Sequence, residues 1–307
     1  MEQRVRLDDA QGQCLARDNL IVVFFGCRPF SEMVTGVARC VDRYLSLIPP
    51  EALRWSIIGS TSGTYKPLTA KDVERCRALL SPSTAKQKDI HFRLLGPESA
   101  GCDYRLVVNG YKVPAKRGAL QQANALEMLF PREFLTTHGA DAVALMASQM
   151  FDDLPCDSGY ASIALCYGME SQIDKAAQII APVAFRSHGY DVPDTLHTSP
   201  RLGDRIRGAR WLTMIGPALV ERLGGKAVLV SRLVDGVEIV ESKRGLLLRA
   251  GEQPEIGDVN RQQPTPLLES VAHALEPVTF FGDSALISLL GGPDARTRWE
   301  RRFWPDA

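Results

Sequence analysis

Apolar residues in this chain fall into short runs separated by polar, turn-forming stretches. Leu20 to Gly26, LIVVFFG, is continuous and is bounded by Asn19 and by Cys27-Arg28-Pro29, the pattern of a strand buried on both faces. Ser31 then offers a helix cap. Met33, Val34, Val37, Val41, Leu45 and Ile48 follow a 3.6-residue period until Pro49-Pro50 stops it. Trp55 to Ile58 reads as a short strand and Gly59 to Pro67 as a polar loop. Thr69-x-x-Asp72 has the form of a capping box before a helix carrying Val73, Cys76, Leu79 and Leu80. His91 to Leu95 and Tyr104 to Val108 are strand runs, and Asn109-Gly110 is a hairpin signal into Tyr111 to Val113.

Gln121 to Leu154 carries a helical pattern, with Pro131 suited to a first turn and His138-Gly139 as an interruption. Tyr160 to Tyr167 reads as a strand. Ile173, Ala176, Ala177 and Ile180 mark a helix ending near Pro182, and 186–210 reads as polar loop. Trp211 to Leu223 has a helical pattern, with Gly224-Gly225 at its end. Ala227 to Val234, Val237 to Ser242 and Leu246 to Ala250 predict a three-strand meander, its first turn a type I′ pair at Asp235-Gly236. GEQPEIGDVNRQQPTP follows without an apolar period, a loop of unusual length for a packed domain. Thr265-Pro266 opens a helix with Leu268, Val271, Ala272 and Leu275 inward, and a last short helix sets Trp299 and Phe303 four apart.

The antiparallel meanders argue against an all-parallel doubly wound sheet. The pattern predicts an α+β fold with mixed or antiparallel sheets and packed helices, arranged as two related α+β units. A polar segment spans 1–19, an N-terminal unit 20–120 and a C-terminal unit 121–307. Length alone allows one large domain or two ordinary ones.

Composition narrows the class. Lys and Arg total 36, as do Asp and Glu, so no basic excess marks a dedicated nucleic-acid binder. The balance is local, however. Residues 151–199 hold two basic and seven acidic side chains, and 200–249 hold ten and five. Seven cysteines without C-x-x-C spacing predict free thiols in a reducing compartment. The polar N-terminus does not read as a signal peptide, and no apolar run reaches the ~18 residues of a membrane span. The expectation is a cytoplasmic protein without membrane or nucleic-acid partners.

Motifs for a serine elbow, a phosphate loop, a dinucleotide fold and a zinc protease are missing from the sequence. His188, Asp191, Asp194 and His197 are spaced by three and offer metal-ligand or acid–base chemistry, although Pro193 interrupts a regular helix there. Asp152, Asp153 and Asp157 in FDDLPCDSG form an acidic segment that reads either as punctuation or as a contact surface for a basic partner. In the long loop, Gly257, Asp258 and Asn260 are turn chemistry, with no nucleophile–base pair beside them.

Several segments in order carry a family likeness: F130-P-R-E-F, D157-S-G-Y-A, W211-L-T-M-I-G, L223-G-G, the A250-G-x-x-P-x-I-G-D-V-N-R261 loop, and a final W299-E-R-R-F303. Together they resemble the bacterial type VI secretion immunity family named for protection against VRR-type nuclease effectors. The likeness covers 120–303 well and 20–115 in general plan. Pro264 to Leu267 departs from it where an aromatic residue is expected. The family-motif positions are Trp211, Gly224, Gly225, Gly257, Asp258, Asn260, Arg261, Trp299 and Phe303.

The resemblance implies a non-enzymatic protein, without cofactor or metal, that binds a cognate secreted toxic effector and blocks its active site or assembly. An acidic patch of Asp152, Asp153, Asp157, Asp191 and Asp194 is then the expected effector contact. The alternative is a metal-dependent hydrolase built on His188, Asp191, Asp194 and His197. A scaffold component of the secretion apparatus is a third reading.

Overall fold

The strand Cys14–Gly26 (β2) runs through the middle of the molecule, and all but one of its residues are buried. It contains the apolar run read from the sequence. Alternate residues serve opposite faces of the sheet, so a strand covered on both sides has no position for exposed polar groups. The structure is a computed structural model that describes residues 5–8, 10, 14–97, 103–117, 120–167, 173–282 and 289–304.

Before β2 lies a short strand, Arg6–Asp8 (β1). After it come helix Phe30–Leu47 (α1), strands Trp55–Ile58 (β3) and Lys66–Pro67 (β4), and helices Ala70–Leu79 (α2) and Pro82–Gln87 (α3). Strands Ile90–Leu95 (β5) and Arg105–Gly110 (β6), a small pair Lys116–Arg117 (β7) and Leu120–Gln121 (β8), and strand Asn124–Pro131 (β9) follow. Helices Arg132–His138 (α4) and Ala140–Asp153 (α5) lead to strand Ser158–Tyr167 (β10), then helices Ile173–Arg186 (α6) and Thr195–Leu202 (α7). The chain closes with strand Leu212–Ile215 (β11), helices Pro217–Arg222 (α8) and Lys226–Val230 (α9), strands Val237–Ser242 (β12) and Gly245–Ala250 (β13), and helices Pro266–Leu275 (α10) and Pro293–Glu300 (α11).

Eleven of these strands form one sheet, in the order β12-β13-β11-β10-β2-β9-β6-β5-β3-β4, with β1 on the side of β2. Every pairing among the described strands is antiparallel. The α+β class is therefore as the sequence pattern indicates. β2 and β10 pair over ten residues, from Phe25 opposite Ser158 to Ala16 opposite Tyr167, and this seam joins the two ends of the sheet. Strand β9 lies between β2 and β6 in this sheet, while β7 and β8 form a separate two-stranded sheet. The strand orders on the two sides of the seam differ: β9-β6-β5-β3-β4 outward from β2, and β11-β13-β12 outward from β10.

One face of the sheet presents Leu20, Val22, Phe24, Met128, Phe130, Ile163 and Leu165 to a core shared with α1, α5 and α6. The helix–helix contact there is close. A Cβ on Gly36 of α1 would lie 2.3 Å from the Asp153 carbonyl oxygen at the end of α5, so only glycine admits this approach. On the other face, α8, α9 and α10 cover the β11–β13 end through Leu219, Leu229, Leu268, Val271 and Leu275. There α7 lies over β9, its Leu202 in one cluster with Ile21, Val23, Phe25 and Leu129 of the sheet.

Several local expectations differ from the structure for physical reasons. Residues 124–131 are a strand although NALEMLFP is rich in helix formers. Its residues through Phe130 are all buried between β2 and β6, and tertiary burial outweighs propensity. Trp211 to Leu223 divides into β11 and α8, with Pro217 as the first helical residue. Residues 226–230 are helical rather than extended, and Asp235-Gly236 is not a type I′ turn, since of the two only Gly236 has positive φ. The meander therefore has two strands in place of three. Asn109 and Gly110 lie inside β6. The first long helix begins at Phe30 with no side-chain cap, so Ser31 does not cap it. The Thr69–Asp72 capping box forms as read, while α6 continues through Pro182 to Arg186.

Candidate functional site

The five carboxylates expected to face an effector are distributed over the fold and bound internally. Asp152 accepts from Ser242 Oγ at 2.6 Å and from the Lys243 amide at 2.8 Å, tying the end of α5 to the β12–β13 turn. Asp153 pairs with Arg39 of α1 at 2.9 Å and lies 3.6 Å from Arg43. Asp157 accepts from the Cys27 amide at 2.6 Å and lies 3.3 Å from Arg28. Asp194 caps α7, accepting from the His197 amide at 3.2 Å. Asp191 has no exposed surface, so a docking protein cannot reach it in this fold.

The histidine–aspartate set with spacing of three does not converge either. His197 meets Asp194 through Nδ1 at 2.8 Å, but Asp191 points to two arginines and His188 packs edge-on against Phe303. Among the described residues, no group of three or more His, Cys, Asp or Glu side chains is placed to hold a metal ion. The geometry therefore does not favour the hydrolase reading.

What gathers around Asp191 is an arginine network that sequence reading did not identify. Arg207 donates to Asp191 Oδ1 at 3.0 Å and to the Val192 carbonyl at 2.8 Å. Arg210 donates to the same Oδ1 at 2.5 Å and to the Ala209 carbonyl at 2.7 Å. Burial by itself would raise the Asp191 carboxyl, but Arg210 and Arg207 outweigh it and hold it below the usual range. The R205-I-R-G-A-R210 segment, inside the basic stretch after residue 200, was the available signal. Its partner on a different segment was not readable.

The network continues to the C-terminal helix. Arg302 donates to the His188 carbonyl at 2.8 Å and to the Trp299 carbonyl at 3.0 Å, and stacks 3.9 Å from the Trp299 ring centroid and 4.3 Å from that of Phe303. Burial and the neighbouring Arg302 both push His188 below the ordinary histidine value. Outside this buried layer, Arg298 sits over Phe185 at 4.2 Å and Arg301 over Phe281 at 4.6 Å. Phe185, His188, Asp294, Arg298, Arg301 and Trp304 line an open cleft of about 600 Å³, in which arginines laid on aromatic rings outnumber the single carboxylate.

The family-motif residues are mainly framework. Trp211 and Trp299 are buried, as is Phe303. Gly224, Gly225 and Gly257 all have positive φ. Asp258 caps the single turn Val259–Arg261, accepting from the Asn260 and Arg261 amides at 3.0 and 3.2 Å. It also takes Arg186 Nη2 at 2.6 Å, which holds its carboxyl low together with those amides. The long loop is pinned to the end of α6.

Between the start of α7 and strands β5, β6 and β9 a second, smaller cleft holds a buried ion pair. Glu127 accepts from Arg105 at 2.5 Å and from the Thr195 hydroxyl at the start of α7. Val107 separates Arg93 from Glu127 along one row across the sheet, a register set by the pairing of β5, β6 and β9.

An eleven-stranded antiparallel sheet with helices on both faces defines an α+β fold whose candidate carboxylates are paired within the framework. The family model described as TsiV, type VI immunity for VRR-NUC, matches residues 36–303, and the chain belongs to that family. A solved structure titled Pseudomonas aeruginosa T6SS protein PA0821 has the same fold, with a TM-score of 0.76 at 18% identity over 97% of this chain and 87% of that one. None of the curated proteins is matched. No helix among the described residues is long and apolar enough to cross a membrane.

Proposed function

We propose that this protein neutralises a cognate type VI effector, of the VRR nuclease type, by binding it rather than by catalysing a reaction, and that it acts in the cytoplasm of the cell that makes it. The observation that carries the reading is the family match from residue 36, inside α1, to Phe303 after α11, which spans both ends of the sheet. The inward pairing of the candidate catalytic groups is consistent with a binder.

The proposed contact is the arginine–aromatic cleft. Arginine and large aromatic residues carry most of the binding energy in protein interfaces, and the Arg298 and Arg301 guanidiniums are already held over rings, which reduces the ordering cost on docking. An effector surface rich in carboxylates fits this cleft. A standard interface buries about 1,600 Å², so the cleft is its anchor and not its whole extent. Nuclease–inhibitor pairs reach Kd values of ~10⁻¹³ M, and charge steering raises their association rate.

The test is co-expression with the toxin encoded beside the gene, followed by binding measurements on the purified pair. Growth rescue and a stable complex are expected, with Arg298→Glu plus Arg301→Glu weakening binding at least a hundredfold while the variant remains folded. Failure of the wild-type pair to associate at micromolar concentration removes the proposal. Full affinity in the double variant removes only the placement of the contact.

A further inference from the structure

The large sheet ends in two edge strands that are guarded differently. At one end β4 is two residues long and contains Pro67, both of which discourage further pairing. At the other, β12 pairs with β13 over six residues without a bulge or a proline. We propose that β12 is a self-association edge, on which β12 of a second copy of this chain pairs antiparallel about a two-fold axis. The inference is independent of the effector reading.

Register decides which backbone groups are available. Ser242 opposes Gly245 across the Lys243-Arg244 turn, and a pair that closes a two-residue turn exchanges both of its backbone bonds. Bonded and non-bonded pairs alternate along an antiparallel ladder. Val240 and Glu238 therefore also face β13, while Val237, Ile239 and Glu241 turn their backbone groups outward. The Val237 amide returns to the Val234 carbonyl. The Ile239 and Glu241 amides donate to no other element among the described residues.

This outward row is complementary to itself. With Ile239 opposite its own copy, the two Ile239 residues exchange both bonds, and each Glu241 amide meets the Val237 carbonyl of the second copy. The charges suit this register. Glu241 opposes Val237 and Glu238 opposes Val240, so no two carboxylates stand directly across from each other. Each is answered within its own chain, Glu241 by Lys226 and Glu238 by Arg249 at 3.6 Å.

A two-fold normal to the sheet turns the same face of both copies to one side. On that face Leu229 and Leu233 pack in one cluster with Val237 and Ile239. The segment 226–236 thus runs alongside β12, from Lys226 beside Glu241 to the start of the strand at Val237. Val228, Val230 and Val234 are exposed on it, three of the seven large apolar side chains exposed among the described residues, so exposed apolar surface is concentrated beside this edge. Pairing at β12 sets the two copies of the segment on either side of one seam, where the valines add apolar area to a backbone contact that is small by itself.

The experiment uses the full chain without an effector. Sedimentation velocity is run from ~1 to ~100 μM, and backbone hydrogen exchange is read residue by residue at both ends of that range. A reversible dimer is expected, with exchange at Ile239 and Glu241 at least about tenfold slower at the high concentration and Val240 unchanged. Glu241→Pro removes one outward amide, leaves the bonds to β13 in place, and should raise the dimer dissociation constant at least about tenfold. The exchange readout on the wild-type chain decides the question even where that variant does not fold. A chain monomeric at ~100 μM, a dimer with unchanged exchange at Ile239 and Glu241, or a dimer of unaltered strength in Glu241→Pro would each overturn the proposal. Protection of those amides only when the effector is added would also overturn it, since the edge would then belong to the effector.

Discussion

Gly189 lies against Glu255 with no room for a side chain: a Cβ at 189 would sit 1.9 Å from the Glu255 carbonyl oxygen. The Gly189 amide donates to the neighbouring Ile256 carbonyl at 2.8 Å, so the segment carrying His188 and Asp191 is clasped to the long loop after β13. Gly189→Ala therefore forces two backbones apart. A loss of about 1–3 kcal/mol in unfolding free energy is expected, in line with other overpacked sites, and urea denaturation measures it. An unchanged midpoint would show that the loop moves aside freely.

Asp191→Asn tests the arginine network. The substitution preserves shape but removes the carboxylate charge shared by Arg207 and Arg210. Breaking a buried pair from one side costs about 3–5 kcal/mol. Double-mutant cycles with Arg207→Met should recover part of that loss, because removing both partners is less damaging than removing one. Additive losses would argue against direct coupling.

Acid sensitivity follows from His188 and His91, both pushed below the ordinary histidine value chiefly by burial. A histidine with a lowered folded value stays neutral in the fold while the unfolded chain takes up the proton. The fold is at full strength above the unfolded value near 6.5, and stability falls as pH drops below it towards the folded values. Thermal midpoints between pH 7.5 and about 5 should decline, and the decline should be shallower in His188→Gln. A profile of equal slope in that variant would assign the acid sensitivity elsewhere.

Asp258→Ala removes the cap of the Val259–Arg261 turn and the Arg186 pair together. The loop should then open locally. Limited proteolysis between Glu252 and Gln263 is expected to speed up several-fold with little change in the global midpoint. Equal cleavage rates would mean that Gly189 and Ile256 hold the loop without help from Asp258.

Strands with strong, local signals were readable from the chain. LIVVFFG announces a doubly buried strand, and Thr69–Asp72 announces a helix start, because each depends on neighbours in sequence. β9 was not readable as a strand. Asn124 to Phe130 are helix formers by propensity, and only the flanking β2 and β6, supplied from residues 14–26 and 105–110, make them extended. The Ala227 to Val234 run erred in the opposite sense: valines suggested a strand, but Val228 and Val230 are exposed on a short helix after Gly225. The family was legible from the motif segments taken together, and the family match covers the stretch that holds them. The acidic residues were visible but their partners were not, since Asp153 meets Arg39 and Asp157 meets the Cys27 amide across more than a hundred residues.

The long seam between β2 and β10 also shapes how this chain is made. Synthesis delivers β2 first, and its partner Ser158–Tyr167 emerges only after more than a hundred further residues. During that interval β9 can shield one side of β2, while the backbone beside Leu20 to Phe25 is an open template for pairing with another nascent chain. Distant pairing of this kind also slows folding, because the loop must close before its contacts contribute. A chain truncated before residue 158 should therefore aggregate rather than persist as a soluble half.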